Sequence, residues 1–188
     1  LQDSSQITGA NHLLVPGNGQ SDLANNRLCV LKSTPTEHPA LLLDFGKELQ
    51  GGLQLVTGMP PSHDPVSVRV RFGESVSEAM CEIDGANGAS NDHAMRDFVV
   101  SLPWLGVQEI GNSGFRFVRI DVLGDSTELQ LKEVRAISTF RDIPYLGSFR
   151  CNDERLNRIW KTGAYTVHLN MQEYLWDGVK RDRLVWVG

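Results

Sequence analysis

The chain has 188 residues and no apolar run of 18 or more, so no stretch reads as a membrane-spanning helix. It lacks an excess of basic charge. Against 18 Lys and Arg stand 23 Asp and Glu, a net charge of −5, and such a balance leaves no electrostatic footprint for nucleic acid. Cysteine is scarce. Cys29, Cys81 and Cys151 are widely spaced and form no CxxC pair, which excludes a dense disulfide framework and a thiolate zinc site. One disulfide could form, but three buried thiols are the simpler arrangement. His12, His38, His63, His93 and His168 are scattered too, so no metal site and no cofactor is implied. There is no internal repeat and no low-complexity segment. A charged n-region followed by an apolar h-region is also missing, and the chain opens on Leu1 rather than Met. It reads as trimmed at both ends, so the missing leader leaves localisation undetermined.

What is present falls into three parts. Residues 1–38 are polar and irregular; "VPGNGQSDLANN" is turn chemistry, with "RLCVLKS" as a short strand within it. Residues 39–143 alternate between strands and turns. In "VSVRVRFGE", Val66, Val68, Val70 and Phe72 point one way while Ser67, Arg69 and Arg71 point the other, the period-two signature of a half-buried strand. "ALLLDFG", "GGLQLVTG", "RDFVVSLP", "GFRFVRIDVLG" and "TELQLKEVRAISTF" read as further strands, with "DGANGASND" and "EIGNSG" as turns between runs. Six or seven strands without intervening helical periodicity must pair antiparallel, because parallel strands need crossover helices. The expected fold is mainly β: an antiparallel jelly-roll-type sandwich.

Residues 144–188 change character. "DIPYLGSF" reads as a linker, and Asn152 can cap a helix whose first turn carries Asp153 and Glu154. Leu156, Ile159, Trp160, Gly163, Val167 and Met171 then recur at spacings of three and four. This predicts an amphipathic helix of about five to six turns, ending before Gly178. A lone helix cannot bury its own stripe, so its partners are the sandwich or further chain. An exposed stripe would also favour self-association.

The chain finishes on "DGVKRDRLVWVG". Clustered charges are ordinarily solvent-facing ion pairs of small energetic value. Here Tyr174 and Trp176 precede the cluster and Trp186 follows it. Aromatic faces stack on the apolar face of a pyranose while carboxylates and guanidinium groups bind its hydroxyls, so the composition suits a sugar site. Asp177 and Asp182 lie five apart, about 140° around a continuous helix. With Gly178 breaking the helix, the two can converge from a loop. Arg181 between them can hold one carboxylate ionised while the other keeps its proton, the separation that glycoside hydrolysis uses.

"GSFRCNDERLNRIWKTGAYTVHLNMQEYLWDGVKRDRLVWVG" resembles the entry helix and first catalytic loop of bacterial α-L-rhamnosidases of glycoside hydrolase family 78. "LLLDFGKELQGGLQL", "VRVRFGESVSE" and "GFRFVRIDVLG" are similar to the accessory β-sandwich that precedes the catalytic barrel in those enzymes. The resemblance covers residues 39–188. It implies that an (α/α)6 barrel begins near Asn152, and that the whole protein removes terminal α-L-rhamnosyl groups by inversion, outside the cytoplasm in the secreted or periplasmic space. By position, Asp182 takes the role of the general acid, which in the family is a Glu. Asp177 binds sugar hydroxyls, Arg181 matches the loop Arg, and Trp186 forms the aromatic wall. An Asp in place of the Glu requires a backbone about 1.5 Å nearer the glycosidic oxygen. The general base would come from later chain, so this piece alone is expected to be inactive. The alternative is a non-catalytic carbohydrate-binding sandwich; the helix and its acid–arginine–tryptophan loop argue against it.

Other residues favour plainer roles. Trp104 in "SLPWLG" suits core or inter-domain packing better than sugar stacking. Asn91, Asp92 and His93 suit a loop turn, Glu74 and Glu78 a surface strand end, and His168 a packed, hydrogen-bonded position on the helix.

Overall fold

The computed structural model describes residues 5–24, 26–82, 96–180 and 185. Among these, seven strands form one antiparallel hydrogen-bonded system: β1 (Ile7–Thr8), β2 (Cys29–Lys32), β3 (Ala40–Thr57), β4 (Val66–Gly73), β5 (Asp97–Leu102), β6 (Val107–Val122) and β7 (Glu128–Ser138). Their order is β1-β2-β7-β3-β6-β4-β5. Two helices accompany them, a short α1 (Val76–Met80) and a C-terminal α2 (Glu154–Asn170). The molecule is thus the mainly antiparallel β-fold with a single long C-terminal helix that the sequence predicts.

The layers arise from two long strands that bend. The first half of β3, through Asp44, pairs with the second half of β6, through Phe117. Pairing resumes only at Leu49 and Phe115, so residues 45–48 bulge against a single residue, Arg116. A second irregularity falls between Gly51 and Leu53. Beyond it, β3 also pairs with β7, from Gly51↔Ser138 to Thr57↔Leu131. The second half of β6 therefore lies between the first half of β3 and β4, while its first half pairs with the second half of β3, which continues to β7. Bulges bend a strand without ending it, and the sequence pattern had suggested breaks at these points. "ALLLDFG" and "GGLQLVTG" are one strand, and "EIGNSG" lies inside β6 rather than in a turn. Gly46 and Gly111 adopt φ of 85° and 80°, a region open to glycine at little cost.

The first bend is fixed by a fork. Arg116 donates from Nε and Nη2 to the two oxygens of Asp44 at 2.7 and 2.8 Å. The Gly46 N–H donates to Asp44 Oδ1 at 2.7 Å. The Arg116 hydrogen bonds, then that of Gly46, hold the Asp44 carboxyl down at about 2.

The two halves face each other across one core. Val68, Val70 and Phe72 of β4 are buried together with Leu53, Leu55, Phe115, Ile120 and Leu131. Phe115 packs edge-on against Phe72 and Phe45, with centroids 4.9 and 5.7 Å apart. Phe72 also lies so close to Gly111 that a Cβ there would press into its ring. Alternation on β4 holds at its start, where Ser67 is exposed between buried Val66 and Val68, but not at its end, where Arg71 is also buried and paired with Glu82 and Asp121. Within the lead-in, β2 joins β7, burying Cys29 and Leu31 completely. Cys29, Cys81 and Cys151 are thiols, but only Cys29 is buried, a correction to the expectation of three buried ones.

Phe115→Ala should lower the unfolding free energy by about 3–5 kcal/mol. Val99→Ala, at a site 67% exposed on β5, should change it by no more than about 0.5 kcal/mol. Urea titrations of both variants check the pair.

Candidate functional site

Helix α2 starts one residue later than the sequence suggests. Asp153, not Asn152, is the cap, its side chain accepting the Arg155 N–H at 2.8 Å. Asn157 ties down the approach, accepting from Cys151 N–H and donating to Cys151 O, both at 2.9 Å. The helix ends at Asn170 rather than near Gly178, with the Met171 N–H turning back to His168 O. The 17 residues make just under five turns.

The predicted apolar stripe does not meet the sandwich. Leu156, Ile159 and Val167 are about half exposed. Contact is made through the opposite face. Tyr165 donates to Glu48 O at 2.6 Å, and His168 and Leu169 are buried. His168 Nε2 lies 2.6 Å from Arg141 O and Nδ1 3.0 Å from the Tyr145 hydroxyl. The contact with a carbonyl places a proton on Nε2, which donates to Arg141 O. His168 is thus the packed, hydrogen-bonded residue the sequence suggested, with the Phe140 ring centroid 3.7 Å away.

Beyond the helix, Gln172 gathers the chain. Its Nε2 donates to Thr139 O and Leu169 O at 3.2 and 2.9 Å, and Arg141 donates to its carbonyl. The Trp176 N–H reaches Asn170 O at 3.0 Å, and Trp176 bridges Val185 antiparallel. Asp177 follows, exposed. Arg181, Asp182 and Trp186 lie outside the described residues, as do Asn91, Asp92 and His93. Of the four residues proposed from the sequence as the sugar site, the structure therefore places Asp177 alone.

Two residues on, the chain is pinned to the sandwich. Gly114 N–H donates to Val179 O at 3.1 Å, and Val179 is buried. A Cβ at Gly114 would overlap Val179 Cγ2, so the close approach requires glycine. Lys180, 7% exposed, pairs with Glu78 Oε1, which Arg96 also contacts. Glu78 is no surface carboxylate, contrary to the sequence reading, and it stands on α1 rather than on a strand end. Burial alone would push its pKa up. The Lys180 hydrogen bond, the Glu74 N–H and the charges of Lys180 and Arg96 outweigh that and hold it below its ordinary value.

Glu48 is the residue sequence reasoning missed. It sits at the end of the β3 bulge, and its buried Oε1 has no hydrogen-bond partner among the described residues. Burial foremost, then Glu74, raises its pKa to about 7; Lys180 pulls the other way, and Glu78 raises it further. A buried carboxyl ionises reluctantly when nothing solvates the charge. Nothing in the local text around Glu48 marks it, because its partners come from positions about 30 and 130 residues away. Gly114 was the available signal: a glycine within a strand often marks close backbone approach.

Elsewhere, Trp104 is 42% exposed and stacks on His63 with centroids 5.0 Å apart, so it is not a core residue. A polar cleft of 330 Å³ opens beside β7, lined by His12, Asn18, Gln20, Asp22, Arg27 and Lys132, among others. Among the described residues no group of three or more His, Cys, Asp or Glu could hold a metal ion. No described helix is long and apolar enough to cross a membrane.

No protein-family model and no curated protein matches the sequence. Solved structures do match. A GH78 family rhamnosidase of Bacillus sp. GL1 superposes with a TM-score of 0.70 at 20% identity, covering 96% of this chain and 17% of that one. A rhamnosidase from Klebsiella oxytoca, solved with rhamnose bound, gives 0.69 at 22% identity, covering 83% of this chain and 31% of that one. The chain thus has a fold found in these rhamnosidases, and it spans less than a third of the length of either.

The seam makes a pH prediction. Glu48 has a folded value above the ordinary 4.5, so its contribution to stability is full below that value and is lost as pH rises through about 7. Glu48→Gln should flatten this limb. Urea midpoints at about pH 5 and about pH 8 should differ more in the parent than in the variant.

Proposed function

We propose that this chain is part of a glycoside hydrolase that removes terminal α-L-rhamnosyl groups by inversion. Asp182 would serve as general acid, with Asp177, Arg181 and Trp186 binding the sugar. The reading rests chiefly on one observation. The likeness to a rhamnosidase covers 96% of the chain, so it runs past the sandwich and through α2, whose end leads into the acid–arginine segment. A sandwich used only for binding would not require that helix.

The exposed stripe of α2 supports the same reading. The helix is held by Tyr165 on Glu48 of the sandwich and by His168 on the segment after β7, and Leu156, Ile159 and Val167 are left turned outward, as in a helix at the start of a helical barrel. In the isolated chain this stripe would favour self-association. Inversion needs a second carboxylate roughly 6.5–9.5 Å from the acid, with water between them. We assign that base to chain outside these 188 residues, and hence no turnover to the chain alone.

The experiment uses an aryl α-L-rhamnoside, with the protein expressed at the full length its gene encodes and the 188-residue chain beside it. Hydrolysis is expected from the former and none from the latter. Asp182→Asn in the former should lower kcat by at least about 100-fold. Turnover by the 188 residues alone would sink the assignment of the base.

A second reading, a carbohydrate-binding sandwich, is favoured by the polar cleft. Asn18, Gln20, Asp22 and Arg27 line a volume of 330 Å³, at the small end of ligand sites, with Val15 and Pro16 as apolar walls. Calorimetric titration of the 188-residue chain with L-rhamnose separates the two. Millimolar binding lost in Arg27→Ala would support the second; no heat is expected under the first.

A further inference from the structure

The post-helix segment could be held only by its own turns and by the helix. Instead, two consecutive residues of it are seated on the sandwich, Val179 by backbone and packing and Lys180 by charge. The anion that receives Lys180 is unusually well fixed. The Ser75 Oγ caps α1 by accepting the Glu78 N–H at 3.2 Å, and Glu78 Oε2 accepts the Glu74 N–H at 2.7 Å. Such reciprocal capping leaves the side chain little freedom. Glu78 Oε1 is then the fixed point on which Lys180 and Arg96 converge.

We propose that Glu78 of the sandwich is a positioning residue for the described segment 177–180, acting through its ion pair with Lys180. Its catalytic meaning rests on the hydrolase reading above; the grip itself does not. Asp177 lies three residues before Lys180 and next but one to the buried Val179. A truncation of the pair would leave a buried charge without its partner, so the segment would lift from the sandwich. The groups that face Glu78 are Lys180 from the segment, Arg96 from the approach to β5, Glu74 from its own turn and Glu48 from the β3 bulge; Arg116 stands behind Glu48.

The test is amide hydrogen exchange on the 188-residue chain. The Gly114 N–H, bonded to Val179 O, reports the seat, and the Val70 N–H in β4 reports the core. Glu78→Gln and Lys180→Met should each lower Gly114 protection about tenfold or more while leaving Val70 protection unchanged. The double variant should lose no more than either single one, because both break the same contact. Lys180→Arg should restore protection. In the parent, Gly114 protection should also fall on acidification below about pH 4.5, as Glu78 takes up a proton, and this limb should vanish in Glu78→Gln. Gly114 protection within twofold of the parent in Lys180→Met, or additive losses in the double variant, would overturn the proposal. Should Glu78→Gln disturb α1 itself, Lys180→Met decides from the other side of the pair. A full-length protein that fails to cleave rhamnosides would count against the hydrolase reading and leave this measurement intact.

Discussion

The bend in β3 is the constraint on which the rest of the molecule depends. Four residues, 45–48, must be accommodated opposite Arg116. The Asp44–Arg116 fork and the left-handed Gly46 do this where the strand leaves its first partner register. The bulge then serves two directions at once. Phe45 turns inward to meet Phe115 in the core. Lys47 and Glu48 turn toward α2, Lys47 lying 4.8 Å over the Tyr165 ring and Glu48 offering its carbonyl to the Tyr165 hydroxyl. One local irregularity thus closes the sandwich and also makes the shelf on which the helix rests.

Much of the sandwich was legible because strand burial repeats every second residue and survives in the text. Val66 to Phe72 shows the period without ambiguity, and the core contains the residues it selects. The continuity of β3 and β6 was not legible. Glycines such as Gly46, Gly51 and Gly111 mark both turns and bulges, and only pairing decides between them. The helix was visible by its stripe, and of the two partners left open for it, the sandwich or further chain, the sandwich does not cover it. Apolar periodicity reveals which face avoids water, not what covers it, and here Tyr165 meets the sandwich at Glu48 while His168 meets the segment between β7 and α2, each through fixed hydrogen bonds.

The candidate site is legible only as an expectation. Residue types around Asp177 suggest sugar-binding chemistry, but how the segment is held depends on contacts far away in sequence. Glu78 and Lys180 are separated by about a hundred positions, and nothing in "GESVSE" announces that its second Glu is a half-buried anchor. Reading both glutamates as surface groups followed the usual behaviour of carboxylates on a polar stretch. It holds for Glu74, which is exposed, and fails for Glu78, where a buried lysine and arginine stand within reach.

This arrangement divides labour between the faces of α2. A helix held on its apolar stripe would have spent that stripe on the sandwich and left a polar face for any later neighbour. Here the aromatic and polar face is used instead, through a small number of directional bonds that fix rotation about the helix axis more tightly than apolar contact would. Orientation is then set before the stripe meets anything. The same logic governs the segment that follows, where Val179 fits a site only glycine leaves open and Lys180 meets a carboxylate already locked by its own capping bonds. In both places specificity comes from geometry that tolerates one arrangement.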